Sequence, residues 1–142
     1  MKRAAALLLA LFLLPLPVRA AGVVRTSASA AVLMDGESGR VLYAYCAQER
    51  RPIASITKLM TALVALESGH VLEEEVTISG EWAGAEGSSI YLRAGERVSL
   101  ETLLYGMLLH SGNDAATILA QVCGGSVEEL AAQMNCRAEQ LG

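Results

Sequence analysis

The sequence lacks the residue spacings that ordinarily hold a metal ion. Its three cysteines and two histidines form no C-x-x-C pair and no Cys/His cluster at ligand spacing. The sequence therefore predicts no metal site. The odd cysteine count leaves pairing open, because Cys123 and Cys136 can be joined if their helices lie side by side. Buried free thiols are the default expectation.

The chain also lacks an apolar run long enough to cross a membrane. Its N-terminal run, Ala4–Leu14, follows Lys2 and Arg3 and precedes a small-residue cleavage site at Val18–Ala20. About 20 apolar residues are needed to span the ~30 Å hydrocarbon core of a bilayer, and this run is much shorter. Residues 1–20 are therefore predicted to be a secretory signal peptide, and the protein is predicted to be exported and extracytoplasmic.

Positive charge is scarce in the rest of the chain. The whole sequence has 11 Lys and Arg against 15 Asp and Glu, which gives a formal net charge of −4. The predicted signal peptide contains three basic residues and no acid, so residues 21–142 carry a net charge of −7. A surface of this sign repels a phosphate backbone, so nucleic acid is not expected as a partner.

No internal repeat and no low-complexity linker interrupts residues 21–142, so they are predicted to belong to one domain. β-Prone runs at 31–34 and 40–45 flank a glycine-containing loop and predict a hairpin. A short strand is predicted at 76–78 and an extended segment at 88–92. Apolar residues at helical spacing predict four helices, over about 54–68, 99–110, 114–122 and from Ser126 to 141, with Ser99 and Ser126 as N-caps.

This distribution of elements predicts an incomplete α/β (α+β) domain. A lone hairpin is not stable in water, because a sheet needs three or more strands or a packing partner. We therefore expect the 142 residues to be the front part of a larger domain. In that domain a helical cluster packs on an antiparallel sheet whose remaining strands follow Gly142.

The first chemical motif is S-x-x-K, formed by Ser55 and Lys58 at the start of the first predicted helix. Residues three apart on a helix lie on the same face, so the hydroxyl and the amine are predicted to be neighbours. Serine alone is a poor nucleophile, but a lysine held among apolar neighbours can lose its proton and accept the hydroxyl proton. By itself the motif is weak evidence, since a capping serine followed by a solvated lysine gives the same pattern.

The second motif, Ser111-Gly112-Asn113, lies between two predicted helices. A short loop bent at glycine can project a hydroxyl and an amide into a cleft. The Ser111 hydroxyl could relay a proton between Lys58 and a leaving amine, and the Asn113 amide could hold a substrate carbonyl or fix the lysine. A purely structural alternative is that Asn113 or Asp114 caps the following helix, and the two roles are compatible.

S-x-x-K followed about 50 residues later by S-x-N, in an exported chain, is typical of penicillin-recognising serine enzymes. The segments 51–61, 87–92 and 109–116, with the hairpin at 34–43, resemble those of low-molecular-mass penicillin-binding proteins. In particular, they resemble the serine-type D-alanyl-D-alanine carboxypeptidases of peptidase family S11. The resemblance covers nearly all of the chain after the predicted signal peptide, and it implies a penicillin-binding/β-lactamase-like transpeptidase domain.

The resemblance also implies a role for each motif residue. Ser55 is expected to be the acyl-ester nucleophile, Lys58 its proton acceptor, Ser111 the second active-site serine and Asn113 a substrate-binding residue. The implied reaction removes the terminal D-alanine from the peptidoglycan stem pentapeptide, and β-lactams are the implied inhibitors. No metal or organic cofactor is implied. Peripheral membrane attachment in the cell envelope is implied only through a C-terminal segment that is not among these residues.

The family's third motif, K-T-G, does not occur in the 142 residues. Its strand supplies one backbone N–H of the oxyanion hole, and loss of one such donor costs on the order of 10²–10³ in rate. Activity of residues 21–142 alone is therefore not expected. Two alternatives remain: a β-lactamase-like hydrolase, which shares S-x-x-K, and a non-catalytic binder of muropeptides or penicillin. Rapid hydrolysis of a penicilloyl adduct would favour the first, and failure to release D-alanine would favour the second.

Overall fold

A computed structural model describes residues 26–142. The predicted signal peptide at 1–20 lies outside the described residues. The chain divides into two compact units, which end at Arg50 and Gly142.

The first unit contains the predicted hairpin. Strands β1 (Ala31–Met34) and β2 (Val41–Tyr45) pair antiparallel, with an irregularity in register between Leu33 and Met34. The carboxylate of Asp35 closes the turn, because it accepts hydrogen bonds from the backbone N–H and the hydroxyl of Ser38. These hydrogen bonds, the one from the Ser38 side chain above all, lower the pKa of Asp35 below its ordinary value of 3.8. The predicted hairpin is confirmed.

The second unit is mainly helical. A single 3₁₀ turn precedes the first helix, and a π-helical turn follows the third. The elements are the 3₁₀ turn Ala54–Ile56, α1 (Thr57–Glu67), α2 (Leu100–His110), α3 (Asn113–Leu119), the π-turn Ala120–Gly124 and α4 (Val127–Leu141). The four predicted helices are confirmed to within a few residues, while the 3₁₀ and π turns were not predicted.

Two of the helix starts are capped as the sequence predicts. Ser99 accepts a hydrogen bond from the Thr102 N–H at 3.1 Å, and Ser126 accepts one from the Glu129 N–H at 3.0 Å. Such caps satisfy donors that have no partner inside the helix. The predicted side-chain cap of α3 is wrong. The N-cap there is Gly112, Asn113 is already helical, and the Asp114 side chain binds elsewhere.

A strand that was not predicted completes a second small sheet. β3 (Glu75–Thr77) pairs antiparallel with β4 (Arg97–Ser99), and Val76 lies opposite Val98. The prediction of an extended segment at 88–92 is wrong at Tyr91, whose φ of 63° lies in the left-handed region. The backbone N–H groups of this segment donate to side-chain oxygens instead of to a neighbouring strand. The positions of those oxygens therefore determine the path of the backbone.

The core of the second unit forms where α1, α2 and α3 meet the small sheet. Leu103, Met107, Ile118 and Leu119 have no exposed surface. Trp82 packs against this core from a turn. The fully buried side chains bring the start of α3 against α2, and this packing sets the position of the loop between them.

One face of α1 is uncovered among the described residues. Ile56, Leu59 and Leu66 keep 62%, 64% and 54% of their surface exposed. Their spacing places them on one side of the helix, opposite the buried Thr61. No helix within residues 26–142 combines the length and apolarity that a membrane span requires.

All three cysteines are free thiols. Cys123 is half-buried, and burial raises the pKa of its thiol against the opposing effect of a hydrogen bond with Ser68. Cys136 is exposed, so the expectation of buried thiols is wrong for this residue. The two do not form a disulfide.

Candidate active site

The predicted site residues come from two places in the second unit. Ser55 lies in the 3₁₀ turn and Lys58 in the first turn of α1, while Ser111 ends α2 and Asn113 begins α3. The first pair is more than 50 residues from the second in sequence. Packing of α1 against α2 and α3 therefore has to bring them together.

The structure joins these four side chains in one hydrogen-bonded cluster. Ser55 Oγ lies 2.7 Å from Ser111 Oγ. Lys58 Nζ lies 2.9 Å from Ser111 Oγ and 2.6 Å from Asn113 Oδ1, and it also donates to the Ser111 carbonyl oxygen. Within residues 26–142, no direct hydrogen bond joins Ser55 to Lys58. Ser111 connects them.

Left-handed backbone occurs at Ser111 and directly before Ser55. Ser111 has φ 56° and ψ 32°, the left-handed conformation that glycine or asparagine normally supplies at a helix C-cap. Ala54, directly before Ser55, has φ 49°. Non-glycine residues in this region cost about 1–3 kcal/mol each and persist only where the surrounding structure holds them. Such positions are concentrated at functional sites.

The cluster opens on a pocket of about 400 Å³, lined by Ala54, Ser55, Thr57, Lys58, Thr61, Asn113 and Ala116. Lys58 has the only ionisable side chain in this lining. The volume is in the range of small-molecule sites, which are commonly apolar with a few convergent polar groups. A substrate carbonyl in this pocket can approach the exposed Ser55 hydroxyl, while the half-buried amine of Lys58 lies behind it.

Asn113 is fixed from its other side. Its Nδ2 donates to the Glu86 carbonyl at 2.7 Å, and its backbone N–H donates to the Ser88 carbonyl at 2.7 Å. A carboxamide has one oxygen and one NH₂ group. Because the NH₂ group is bound to Glu86, the Oδ1 atom faces Lys58.

Asp114 is the residue of this region whose contacts the sequence did not predict. Its side chain is only 1% exposed. The carboxylate accepts hydrogen bonds from the Ser89 hydroxyl and from the N–H groups of Ile90, Leu92 and Ala115. Burial raises the pKa of Asp114, but these four hydrogen bonds outweigh it and hold the pKa below 3.8. An acid directly after the S-G-N motif is the available signal, and its position alone predicts only a helix cap.

The two histidines lie outside the cluster. His110 lines a separate groove beside α2, together with Tyr91 and Tyr105. His70 is exposed and lies 2.8 Å from Glu74. Among the described residues there is no group of three or more His, Cys, Asp or Glu side chains arranged to hold a metal ion.

Comparison with known proteins gives the family. A family model described as D-alanyl-D-alanine carboxypeptidase, peptidase S11, matches residues 18–142. The carboxypeptidase DacF of Bacillus subtilis is 39% identical over 119 residues, which are 81% of this chain and 31% of the relative. DacD of Escherichia coli is 37% identical over 120 residues, 78% of this chain and 31% of the relative. The chain thus spans about a third of the length of these curated relatives.

Solved structures give the same result. A crystal structure of the carboxypeptidase DacD from Francisella tularensis superposes with a TM-score of 0.78 at 35% identity, covering 84% of this chain and 30% of that one. Penicillin binding protein 5 from Haemophilus influenzae gives 0.76 at 35% identity, covering 85% and 38%. The family match covers more than half of the chain, and the fold is shared with solved members at over 30% identity. The chain therefore belongs to the peptidase S11 family of D-alanyl-D-alanine carboxypeptidases.

Proposed function

We propose that the protein is a serine-type D-alanyl-D-alanine carboxypeptidase. It removes the terminal D-alanine from peptidoglycan stem pentapeptides through an acyl-enzyme on Ser55. The single observation that carries the proposal is the cluster in which Ser55, Ser111, Lys58 and Asn113 are joined by hydrogen bonds of 2.6–2.9 Å. β-Lactams acylate the same hydroxyl, and residues 21–142 form the part of the catalytic domain that carries it.

The hydrogen-bond roles in the cluster support a base at Lys58. A neutral amine has two N–H donors and one lone pair. The Ser111 carbonyl and Asn113 Oδ1 can only accept, so they take both donors. The lone pair then faces Ser111 Oγ, which donates to Lys58 and accepts from the Ser55 hydroxyl. This orientation connects Ser55 to the base through one hydroxyl.

Attack follows from this arrangement. As Ser55 Oγ bonds to the penultimate D-Ala carbonyl carbon, its proton passes to Ser111 and the Ser111 proton passes to Lys58. Lys58 is then an ammonium that donates to all three oxygens. The tetrahedral intermediate expels the D-alanine amine, which takes a proton from Ser111 as Lys58 returns one to it. Water then cleaves the ester and frees Ser55.

The site also favours the negative charge that develops on the carbonyl oxygen. Ser55 precedes α1, whose unpaired N–H groups carry partial positive charge. The backbone N–H of Ser55 is the expected donor to the oxyanion from this part of the chain. Each oxyanion donor is worth on the order of 10²–10³ in rate, so a second donor is required for full activity.

Signal-directed export and action in the bacterial cell envelope belong to the same proposal. The substrate is peptidoglycan, which lies outside the cytoplasm, and the predicted signal peptide at 1–20 would deliver the protein there. Peripheral attachment to the membrane through a C-terminal segment, which the family resemblance implies, is part of the same proposal.

Labelling with a fluorescent penicillin tests the proposal. The protein expressed from its complete gene is incubated with the reagent, and the labelled peptide is mapped by mass spectrometry. We expect the label on Ser55 and its loss in Ser55→Ala, while Ser38→Ala in the hairpin turn keeps it. Label on Ser111, or label retained in Ser55→Ala, would contradict the assignment of the nucleophile.

The reaction type needs a second measurement. We expect release of D-alanine from a stem pentapeptide and a slowly hydrolysed penicilloyl adduct. Rapid turnover of the adduct would instead indicate a β-lactamase. Stable labelling without any release of D-alanine would indicate a binder.

A further inference from the structure

The loop at residues 86–92 contacts Asn113 closely. The Glu86 and Ser88 carbonyls accept from the Asn113 side chain and backbone, each at 2.7 Å. Gly87 lies between them with φ 90°, and a Cβ atom there would be 2.9 Å from Asn113 Nδ2. The carboxamide therefore has almost no freedom on this side, and its orientation depends on where the loop lies.

The loop has no helix or strand of its own to hold it. Two of its backbone N–H groups and one hydroxyl converge on one buried side chain, the carboxylate of Asp114. Oδ1 accepts from the Ile90 N–H at 3.1 Å, and Oδ2 accepts from the Leu92 N–H at 3.1 Å and from the Ser89 hydroxyl at 2.6 Å. Asp114 directly follows Asn113. These two neighbouring residues therefore form all of these hydrogen bonds with loop 86–92.

We propose that Asp114 is a positioning residue for the reaction at Ser55. Its carboxylate holds loop 86–92 so that the Glu86 carbonyl fixes the Asn113 carboxamide with Oδ1 toward Lys58. The three donors from the loop require a group that only accepts. A carboxamide at position 114 would turn its NH₂ group toward one of them and leave two donors facing each other. The catalytic consequence rests on the proposed function, whereas the geometric role does not.

The orientation of Asn113 can be measured without any activity. The sequence contains only two asparagines, Asn113 and the exposed Asn135. In protein labelled with ¹⁵N in the asparagine side chains, hydrogen exchange of the two carboxamides can be followed separately by NMR. We expect slow exchange at Asn113, because its NH₂ group is bound to Glu86, and fast exchange at Asn135, which serves as an internal reference.

Three variants test the role of the carboxylate. Asp114→Ala removes all three contacts between the loop and the carboxylate. Ser89→Ala removes one of them, together with the acceptor of the Tyr91 N–H, and leaves the buried charge in place. Glu96→Gln is the matched control, since Glu96 accepts from the Arg93 N–H at 3.0 Å in the adjoining turn and does not contact Asn113. We expect exchange at Asn113 to accelerate in Asp114→Ala and, to a smaller extent, in Ser89→Ala, with no change in Glu96→Gln.

The rate constant for penicillin acylation is the second readout. A misplacement of about 1 Å in a catalytic group can cost on the order of 10²-fold in rate. We expect a loss of that size in Asp114→Ala and a smaller loss in Ser89→Ala. The fraction of protein that finally becomes labelled should stay unchanged, whereas a variant that is merely unfolded in part would lose labelled fraction.

Hydrogen exchange at Asn113 and the acylation rate together distinguish a failure of the proposed function from a failure of the role given to Asp114. Absence of labelling in the unchanged protein would overturn the proposed function, while exchange at Asn113 would still decide the position of its amide. Wild-type exchange at Asn113 in Ser89→Ala and Asp114→Ala would overturn the role of Asp114. So would unchanged acylation rates in both variants. If Asp114→Ala does not fold, Ser89→Ala decides by the same criteria.

Discussion

Substitution of Gly106 by alanine tests how tightly α2 supports the loop that contacts Asn113. A Cβ atom at Gly106 would collide with Ile90 Cδ1 and lie 3.4 Å from Cγ1 and Cγ2 of the same side chain. Ile90 is part of the loop, and its N–H donates to Asp114. An added methyl group on α2 therefore pushes directly on the segment that positions the site.

Two opposing effects set the magnitude. Replacing glycine by alanine inside a helix stabilises it by about 1 kcal/mol. Adding a methyl group to a packed interface costs about 1–3 kcal/mol, because neighbouring side chains must leave their preferred rotamers. The contacts at Ile90 favour the second effect, so we expect a net destabilisation of about 0–2 kcal/mol for Gly106→Ala. Acylation by penicillin should slow at the same time.

Ile90→Val provides the matched control, because valine lacks the colliding Cδ1 atom. Alone, this change should cost about 0.5–1.5 kcal/mol. In the Gly106→Ala background it should cost nothing or restore stability, which gives a coupling of about 1 kcal/mol or more between the two sites. Urea unfolding of the four proteins, followed by circular dichroism, measures the cycle. A Gly106→Ala variant that is more stable by ~1 kcal/mol and additive with Ile90→Val would refute the reasoning.

Three further predictions concern single sites. Lys58→Arg places at this position a cation that cannot lose a proton near neutral pH, so penicillin labelling should disappear while circular dichroism stays unchanged; near-normal acylation would mean that Lys58 acts only as a fixed charge. Because the pKa of Asp114 lies below 3.8 in the folded chain, its stabilisation is complete at neutral pH and declines as the pH falls through the folded pKa. Urea midpoints should therefore drop at low pH, and less steeply in Asp114→Ala; equal slopes would contradict this. Ser126→Ala removes the cap of α4 and should cost about 1 kcal/mol in the same assay, with no effect on the acylation rate of the remaining folded protein.

The sequence predicted the elements whose signals are local. The hairpin, the four helices and the caps at Ser99 and Ser126 follow from apolar spacing and capping residues. β4 was missed because Val98 is its only β-prone residue, and its stability comes from pairing with β3. The left-handed backbone at Tyr91 was missed because glycine or asparagine usually adopts this conformation, and tyrosine gives no such signal.

The candidate site, too, has contacts that follow from local sequence spacing and contacts that depend on tertiary packing. That Ser55 and Lys58 lie near each other follows from helical spacing. Their meeting with Ser111 and Asn113 was a hypothesis from the chemistry of the two motifs, which the family resemblance supported. The order of contacts was not predictable, because the sequence suggested a direct Ser55–Lys58 contact while packing inserts Ser111 between them. The role of Asp114 depends on donors 22–25 residues away in sequence, which no local pattern records.

The left-handed backbone of Ser111 has a consequence for how this protein can evolve. A glycine at this position would relieve about 1–2 kcal/mol of steric cost and would still end α2 correctly. A library selected for folding alone should therefore drift toward glycine at position 111 and lose the hydroxyl that joins Ser55 to Lys58. Persistence of serine there across generations would record selection for chemistry against stability. Sequencing such a library before and after selection for folding would measure how far the frequency of glycine rises over that of serine at position 111.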